Sequence, residues 1–274
     1  MQAYAHWLPV IAALAAAGAG GGLLAGLLGV GGGIIIVPAL DFALQAAGLP
    51  IEVALHVAVA TSMATIIPTA LSSARSHARR GAVDREIVRH WTLPTVVGAA
   101  CGALVAAHLD GRILAGVFGT VALGAALKML LPLDNVVLHR GVPRGVVGAA
   151  IPAGIAAISA MMGIGGGTLT VPAMTLCGEP VHKAVGTAAL MGFWIALPAT
   201  IAFLLAQPAA AAAMPPFTIG YVSLLGLALV APISWLVAPL GAHLAHSLDR
   251  RKLAIAFGVF LLLVGTRMWY RALA

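Results

Sequence analysis

The sequence predicts an all-α polytopic integral membrane protein, because its composition and its pattern both indicate helices in a bilayer. Of its 274 residues, 61% are hydrophobic and only 8% are charged, too few for the solvated surface of a soluble domain. Most of the stretches without Asp, Glu, Lys or Arg reach the roughly 20 residues with which a helix crosses the hydrocarbon layer. The short alternating segments of an outer-membrane barrel are not seen. We therefore expect about eight membrane-embedded helices in contact with the lipid bilayer of a plasma membrane, in bacteria the inner membrane.

The net charge of +7 indicates membrane topology and no nucleic-acid partner. By the positive-inside rule, clustered Lys and Arg residues mark cytoplasmic loops. Three clusters occur: Arg75, Arg79, Arg80, Arg85 and Arg89; Lys128, Arg140 and Arg144; and Arg250, Arg251 and Lys252. The two cysteines, Cys101 and Cys177, have apolar neighbours and no ligand-spaced partners, so we expect small buried hydrophobes and no disulfide, metal or other cofactor.

The chain repeats itself at three places, which occur in the same order in both halves. The matching segments are 29–40 with 163–174 (seven identities in twelve), 56–61 with 182–187, and 109–119 with 248–258 (seven in eleven). This similarity predicts a first membrane repeat at 1–132, a cytoplasmic linker at 133–144 and a second membrane repeat at 145–274. Duplicated membrane units are typical of secondary transporters, which bind substrate near the midplane between the halves.

The distribution of charge favours inverted repeats over parallel ones. In the inverted model each copy has three crossings plus a broken hairpin, and 11 of the 15 Lys and Arg residues are cytoplasmic. In the parallel model each copy has four crossings, and 10 of these residues are cytoplasmic. The uncharged loop at 207–217 is external in the inverted model. We expect the loops at 75–89 and 249–252 to be cytoplasmic.

Each copy contains a glycine triplet, Gly31, Gly32 and Gly33 in the first and Gly165, Gly166 and Gly167 in the second, with a proline five residues further on. Glycine costs about 1 kcal/mol relative to Ala inside a helix, and proline removes a hydrogen bond, so both helices should break. Only half-spans follow, at 34–47 and 168–177. Exposed N–H groups and the positive end of a helix dipole would favour one small anion between the two breaks. Alternatively, the glycines only permit close helix packing.

Hydroxyl side chains accompany both breaks. Thr61 and Ser62 in the first copy and Thr187 in the second lie early in long apolar helices. A hydroxyl there can donate to an oxyanion, or it can bond back to a carbonyl of its own helix.

Three further residues are candidates for proton coupling. His56 and His182 each lie five residues before one of these threonines, and histidine titrates near neutrality. Two interfacial histidines at helix starts would give the same pattern. Asp41 lies inside the first apolar half-span and could carry a proton there.

Four segments carry a family resemblance: GLLGVGGGIIIVPAL (26–40), ATS (60–62), MMGIGGGTLTVPAM (161–174) and GTA (186–188). With them the chain resembles the TauE/SafE family of sulfite and organosulfonate exporters over essentially its whole length. The resemblance implies transport of a small sulfur-containing oxyanion, usually outward. The second copy has Ala188 in place of Ser62, so the two halves need not contribute hydroxyls equally.

We therefore expect a secondary transporter that exports a small oxyanion such as sulfite or an organosulfonate. Its expected site comprises Gly31, Gly32, Gly33, Thr61, Ser62, Gly165, Gly166, Gly167 and Thr187. An anion channel, or an importer of another small anion, would have the same features. Because no GxxxxGK[ST], HExxH or GxSxG motif occurs, neither an ATP-driven pump nor an enzyme is predicted. A homo-oligomer is compatible with the sequence.

Overall fold

The computed structural model describes residues 7–28, 32–131, 141–143, 145–208, 214–244 and 250–273. Within these ranges the chain forms ten helices and one pair of antiparallel two-residue strands. In chain order they are α1 (Trp7–Leu28), α2 (Gly33–Ala46), α3 (Ile51–Arg79), α4 (Arg85–His108), α5 (Gly111–Leu130), α6 (Gly145–Met162), α7 (Gly167–Leu176), α8 (Val181–Leu205), β1 (Thr218–Ile219), β2 (Val222–Ser223), α9 (Leu224–Leu244) and α10 (Arg250–Leu273).

The predicted all-helical membrane architecture is confirmed. Six of the described helices contain stretches long and apolar enough to cross a membrane, namely α3, α4, α5, α6, α8 and α10. The number of embedded helices and the repeat boundaries stay predictions, and the linker at 133–144 lies outside the described residues apart from 141–143. The strand pair was not expected from the sequence.

The two short helices, α2 and α7, begin at the last glycine of each triplet, within one residue of the predicted half-spans. Both end in the same way. Gly48 and Gly178 adopt positive φ angles of 89° and 81°, which glycine tolerates at no steric cost. The next N–H groups, of Leu49 and Glu179, donate back to the carbonyls of Leu44 and Met174 and so close each helix. A proline, Pro50 or Pro180, then immediately precedes the following long helix, α3 or α8.

Contacts between loops and helix ends define the two ends of the bundle. At one, the Lys183 ammonium lies 4.0 Å from the Asp84 carboxylate, and the Gly141 N–H donates to the carbonyl of Cys177. α5 starts beside Glu52 at the start of α3, so both helices end on this side, and there Arg251 at the start of α10 donates to the Leu130 carbonyl at 2.8 Å. We call this the basic end, since the described residues of all three Lys and Arg clusters lie there.

The other end, which we call the distal end, holds the turns at 47–50 and 109–110, the strand pair and the end of α10. Tyr221 between the strands donates through its hydroxyl to the carbonyl of Ala107, near the end of α4, at 3.2 Å. Arg271 in the last turn of α10 donates to the carbonyl of Ile51, where α3 begins.

Helices of the two halves pack against each other through small residues. A Cβ atom at Gly98 or Gly102 of α4 would lie within 2.3 Å of a carbonyl oxygen of α6, so these backbones are in direct contact. The reciprocal pair is α1 with α9, where a Cβ at Gly22 would lie 2.5 Å from the carbonyl of Ser234. Such contacts are typical of membrane bundles, in which van der Waals packing drives helix association.

The positive-inside rule predicts that the basic end faces the cytoplasm. Cysteines introduced at Arg80 and Arg250 should be labelled from the cytoplasm only, and one at Ile219 in β1 from outside only. Membrane-impermeant maleimide on intact cells and on inverted vesicles measures this. Labelling of position 250 from outside would instead support parallel repeats.

Both native cysteines should be replaced first. Cys101 is exposed on α4, so the expectation that it is buried was wrong, whereas Cys177 is half-buried. Burial raises the pKa of the Cys177 thiol, and the nearby Glu179 carboxylate adds to the shift. Its thiolate fraction is therefore low at neutral pH, and any background labelling from it should increase with pH.

Candidate functional site

The two glycine breaks touch each other inside the bundle. Gly32 has a positive φ of 67° and precedes α2, and a Cβ atom at Gly33 would lie only 2.4 Å from the carbonyl oxygen of Gly163. Gly163 also has a φ of 67° and closes the end of α6. The first hairpin, α1 with α2, and the second hairpin, α6 with α7, therefore meet tip to tip through backbone. Gly31 lies outside the described residues.

The second glycine triplet is buried against α8. Gly165, Gly166 and Gly167 are all buried. A Cβ atom at Gly166 would lie 3.0 Å from the backbone nitrogen of Gly192 and 3.2 Å from the carbonyl oxygen of Ala188. In this conformation Gly33 and Gly166 are packed against protein backbone. Their proposed role in holding an anion stays a prediction.

Ser62 joins the tip of the second hairpin to α3. Its hydroxyl is fully buried and donates to the carbonyl oxygen of Gly163 at 2.7 Å. Ser62 lies eleven residues into α3, about 16 Å along a helix that rises 1.5 Å per residue, so the contact is well inside the bundle. Its counterpart Ala188 has no hydroxyl, and its carbonyl lies beside Gly166 instead.

The two matched threonines make equivalent hydrogen bonds. Thr61 accepts from the backbone N–H of Ser223 at 3.0 Å, and Thr187 accepts from that of Asp84 at 2.9 Å. Both are fully buried, and each donor residue immediately precedes a long helix, α9 or α4. Replacing either threonine with Val would leave a buried N–H unpaired, which costs about 1–3 kcal/mol. Such a variant therefore reports on stability as well as on binding.

A narrow cleft leads from the distal end to Thr61. We call it the distal cleft. It lies between the first hairpin, α9 and the strand-pair segment, and its lining residues are Leu14, Leu40, Leu44, Ala47, Leu49, Thr61, Pro215, Pro216, Ser223, Leu225 and Gly226.

Asp41 lies in a buried ion pair. Its side chain is 1% exposed, and the Arg271 Nη1 atom lies 2.7 Å from both carboxylate oxygens. Gln45, one turn further along α2, donates to the same carboxylate at 2.7 Å. Arg267 lies over the ring of Phe42 at 5.2 Å, so the end of α10 is attached to α2 by two adjacent contacts. Proton coupling by Asp41 is untested, but the ion pair gives this residue a structural role.

The two matched histidines have different surroundings. His182 is exposed at the start of α8, whereas His56 is buried and stacks on Tyr221 with ring centroids 5.2 Å apart. Its Nδ1 lies 2.8 Å from the Glu52 carbonyl and its Nε2 lies 3.1 Å from the Leu109 carbonyl. Because carbonyl oxygens only accept, a neutral imidazole can donate to one of them and a protonated one to both. Of the two matched histidines, His56 is therefore the one that lies between two hydrogen-bond acceptors inside the protein.

Sequence reasoning missed four residues that shape this region: Gly163, Ser223, Tyr221 and Arg271. The sequence could have indicated Gly163, because this residue matches Gly29 in the repeat. The partners of the other three are more than one hundred residues away in the chain, and no local pattern predicts them.

Comparison with known proteins agrees with this architecture. Residues 14–268 match the family model described as sulfite exporter TauE/SafE. The chain is 30% identical to a probable membrane transporter protein of Haemophilus influenzae, an alignment that covers 93% of this chain and 96% of the relative. It is 26% identical to the probable membrane transporter protein YunE of Bacillus subtilis, over 92% and 96% of the two chains. No solved structure matches the chain.

Replacing Asp41 with Asn should destabilise the protein by about 3–5 kcal/mol, because it leaves the buried Arg271 guanidinium without its counter-ion. The double variant Asp41→Asn/Arg271→Gln should regain much of that loss. The melting temperatures of the single and double variants in one detergent measure the coupling. If Asp41→Asn melts like the wild type and only the proton dependence of transport disappears, Asp41 is a proton carrier and the ion pair contributes little.

Proposed function

Because the chain belongs to the sulfite exporter TauE/SafE family, we propose that it is a secondary transporter that exports a small sulfur-containing oxyanion such as sulfite or an organosulfonate. It is a multi-pass membrane protein, located in bacteria in the inner membrane. The observation that carries the proposal is the direct contact of Gly33 with Gly163, where two broken helices meet inside the bundle. Irregular backbone survives at membrane depth only where protein covers it or where it lines a cavity.

We infer that the two halves, 1–132 and 145–274, are inverted repeats, and the packing supports this. α1 packs on α9, and α4 packs on α6. The proposed repeat matches α1 with α6 and α4 with α9, so it converts one of these pairs into the other. In the contacts of α3 with α8 and of α5 with α10, each helix packs on its own counterpart. The first hairpin has its short helix ending at the distal end and the second at the basic end. In the proposed arrangement the hairpins enter from opposite sides of the membrane and their tips meet between them.

Two such hairpins suit alternating access. When the tips are in contact, as here, backbone closes the path between the two ends. Separation of Gly33 from Gly163 would expose the N–H groups that begin α2 and α7, at the positive ends of two helix dipoles, and an anion could bind there without a lysine or arginine. Ser62, Thr61 and Thr187 are the proposed hydroxyl donors beside this path.

Purified protein in proteoliposomes should show saturable sulfite flux that responds to an imposed ion gradient. A thermal-shift panel of sulfite, sulfate, thiosulfate, sulfoacetate and acetate would identify the ligand, since a ligand at 100 times its Kd stabilises the folded state by about 2.7 kcal/mol. Fast, unsaturable current that follows voltage would favour the channel alternative. Absence of both binding and flux for every anion would overturn the proposal.

Replacing Gly166 with Ala separates an anion cradle from simple packing. The added methyl would lie 3.0 Å from the Gly192 nitrogen, but φ is −55°, so the backbone conformation itself is not strained. If an anion approaches this backbone, we expect flux to fall about tenfold or more, the effect of roughly 1.4 kcal/mol, while the melting temperature falls only slightly, because the neighbouring backbone of α8 must move by only a few tenths of an ångström.

Gly154→Ala is the matched control, because a Cβ atom there meets nothing within 4 Å and the residue is exposed on α6. It should leave flux unchanged and stabilise the helix by up to about 1 kcal/mol. Gly33→Ala should lose stability and flux together, because its methyl would collide with the Gly163 carbonyl. A shared loss at Gly166 as well would favour the packing interpretation of the second triplet.

A further inference from the structure

We propose that the protein binds its anion asymmetrically, at the base of the distal cleft between the hydroxyls of Thr61 and Ser223, and that Asp84 prevents binding at the equivalent place near the basic end. The inference rests on the proposed transport function. It assigns Ser223 as a substrate-binding residue, which no repeat match or motif had indicated.

The chemistry of the distal cleft changes along its length. Its walls are apolar, formed by leucines of the first hairpin and by Pro215 and Pro216, and none of the described residues that line it is charged. Thr61 lies ten residues into α3, about 15 Å from the distal end, so it forms the base of the cleft together with Ser223 and Gly226 beside it. The hydroxyl groups of Thr61 and Ser223 are thus the polar side-chain groups that a ligand in the cleft would meet.

Both hydroxyls have a hydrogen available to donate. The Thr61 oxygen accepts from the Ser223 N–H, and the Ser223 oxygen accepts from the Gly226 N–H at 3.2 Å. Neither hydroxyl donates to any acceptor in the described part of the chain, although the two residues are 0% and 5% exposed. Since a hydroxyl carries one donor beside its acceptor lone pairs, two buried O–H donors are left for a ligand.

Two convergent donors select a ligand rich in acceptors, and an oxyanion is such a ligand. Hydrogen bonds to an ionised acceptor are roughly twice as strong as those between neutral groups, and the apolar walls of the cleft strengthen them further by excluding water. The start of the 21-residue helix α9 at Leu224 adds a favourable potential. A cation would find only the oxygen lone pairs that remain after the two N–H bonds are made.

The equivalent place at the basic end has the opposite chemistry. Asp84 precedes α4 as Ser223 precedes α9, and its N–H donates to Thr187 as that of Ser223 donates to Thr61. The Asp84 carboxylate, however, already accepts from the N–H groups of Glu86 and Ile87 at 3.0 and 3.1 Å. An ionised carboxylate offers no donor, and its negative charge repels an anion, while the half-exposed Lys183 ammonium 4.0 Å away already has this carboxylate as its counter-ion.

The test substitutes Ser223 with Asp and, as the matched control, with Asn. Both replacements can cap α9, because Asp and Asn are as good as Ser at this position of a helix. Both have nearly the same size, and they differ in one negative charge. We expect Ser223→Asp to weaken sulfite binding and to lower sulfite flux at least roughly tenfold relative to Ser223→Asn, since a charge within a few ångströms acts strongly in a poorly solvated site.

Sulfite Kd by calorimetry, flux in proteoliposomes and the melting temperature are measured on the same preparations. Asp84→Asn is the reciprocal variant. It removes the charge near the basic end, so we expect calorimetry to show a second sulfite bound per chain, while the Kd of the distal site stays within about twofold of the wild type, a change of less than 0.5 kcal/mol. A single bound sulfite in Asp84→Asn would overturn the blocking role of Asp84. Equal sulfite affinity in Ser223→Asp and Ser223→Asn, in a wild type that transports sulfite, would overturn the asymmetric site and leave the transport function standing. A wild type that neither binds nor transports any anion of the panel would overturn both.

Discussion

Backbone that leaves helical geometry inside a membrane must be covered by protein, because lipid offers no hydrogen-bond partner, and the rest of this structure depends on that constraint. The chain breaks two helices at glycine triplets and covers each break with the other. Gly33 approaches Gly163 so closely that a single methyl group would not fit between them. Ser62 then donates to the carbonyl of Gly163, which has left the helical pattern. Neither hairpin tip is protected without the other.

This mutual protection explains why the helices pack across the halves. The first hairpin is held by α9, where Gly22 meets the backbone of Ser234, and the second by α4, where Gly98 and Gly102 meet the backbone of α6. A half of the chain alone would therefore lack the helix that covers its own hairpin. Small residues permit this exchange, because membrane helices associate by close packing and not by removal of apolar surface from water.

The sequence predicts the local features of the fold well and the tertiary partners poorly. The short helices α2 and α7 were expected within one residue, because glycine and proline act on the backbone locally. The repeat also matched His56 with His182, but it did not predict that His56 is buried and His182 is exposed. The partner of Asp41 lies 230 residues away, and Arg271 had no match that indicated it. Nothing in the sequence distinguishes Ser223 from the other serines, and only the fold shows that it lies beside Thr61.

The two halves differ most where they hold their hairpins. The first hairpin is tied to α10 by the buried pair of Asp41 and Arg271, whereas Thr175 stands at the position of Asp41 in the second. The second hairpin tip is held by the hydroxyl of Ser62, and Ala188 offers no such bond in return. Breaking a buried ion pair on one side costs about 3–5 kcal/mol, and losing a neutral hydrogen bond about 0.5–1.5 kcal/mol. By these magnitudes the contact of Asp41 with Arg271 costs more free energy to break than the contact of Ser62 with Gly163. The two hairpins are similar in sequence, but these two contacts attach them to the bundle with unequal strength.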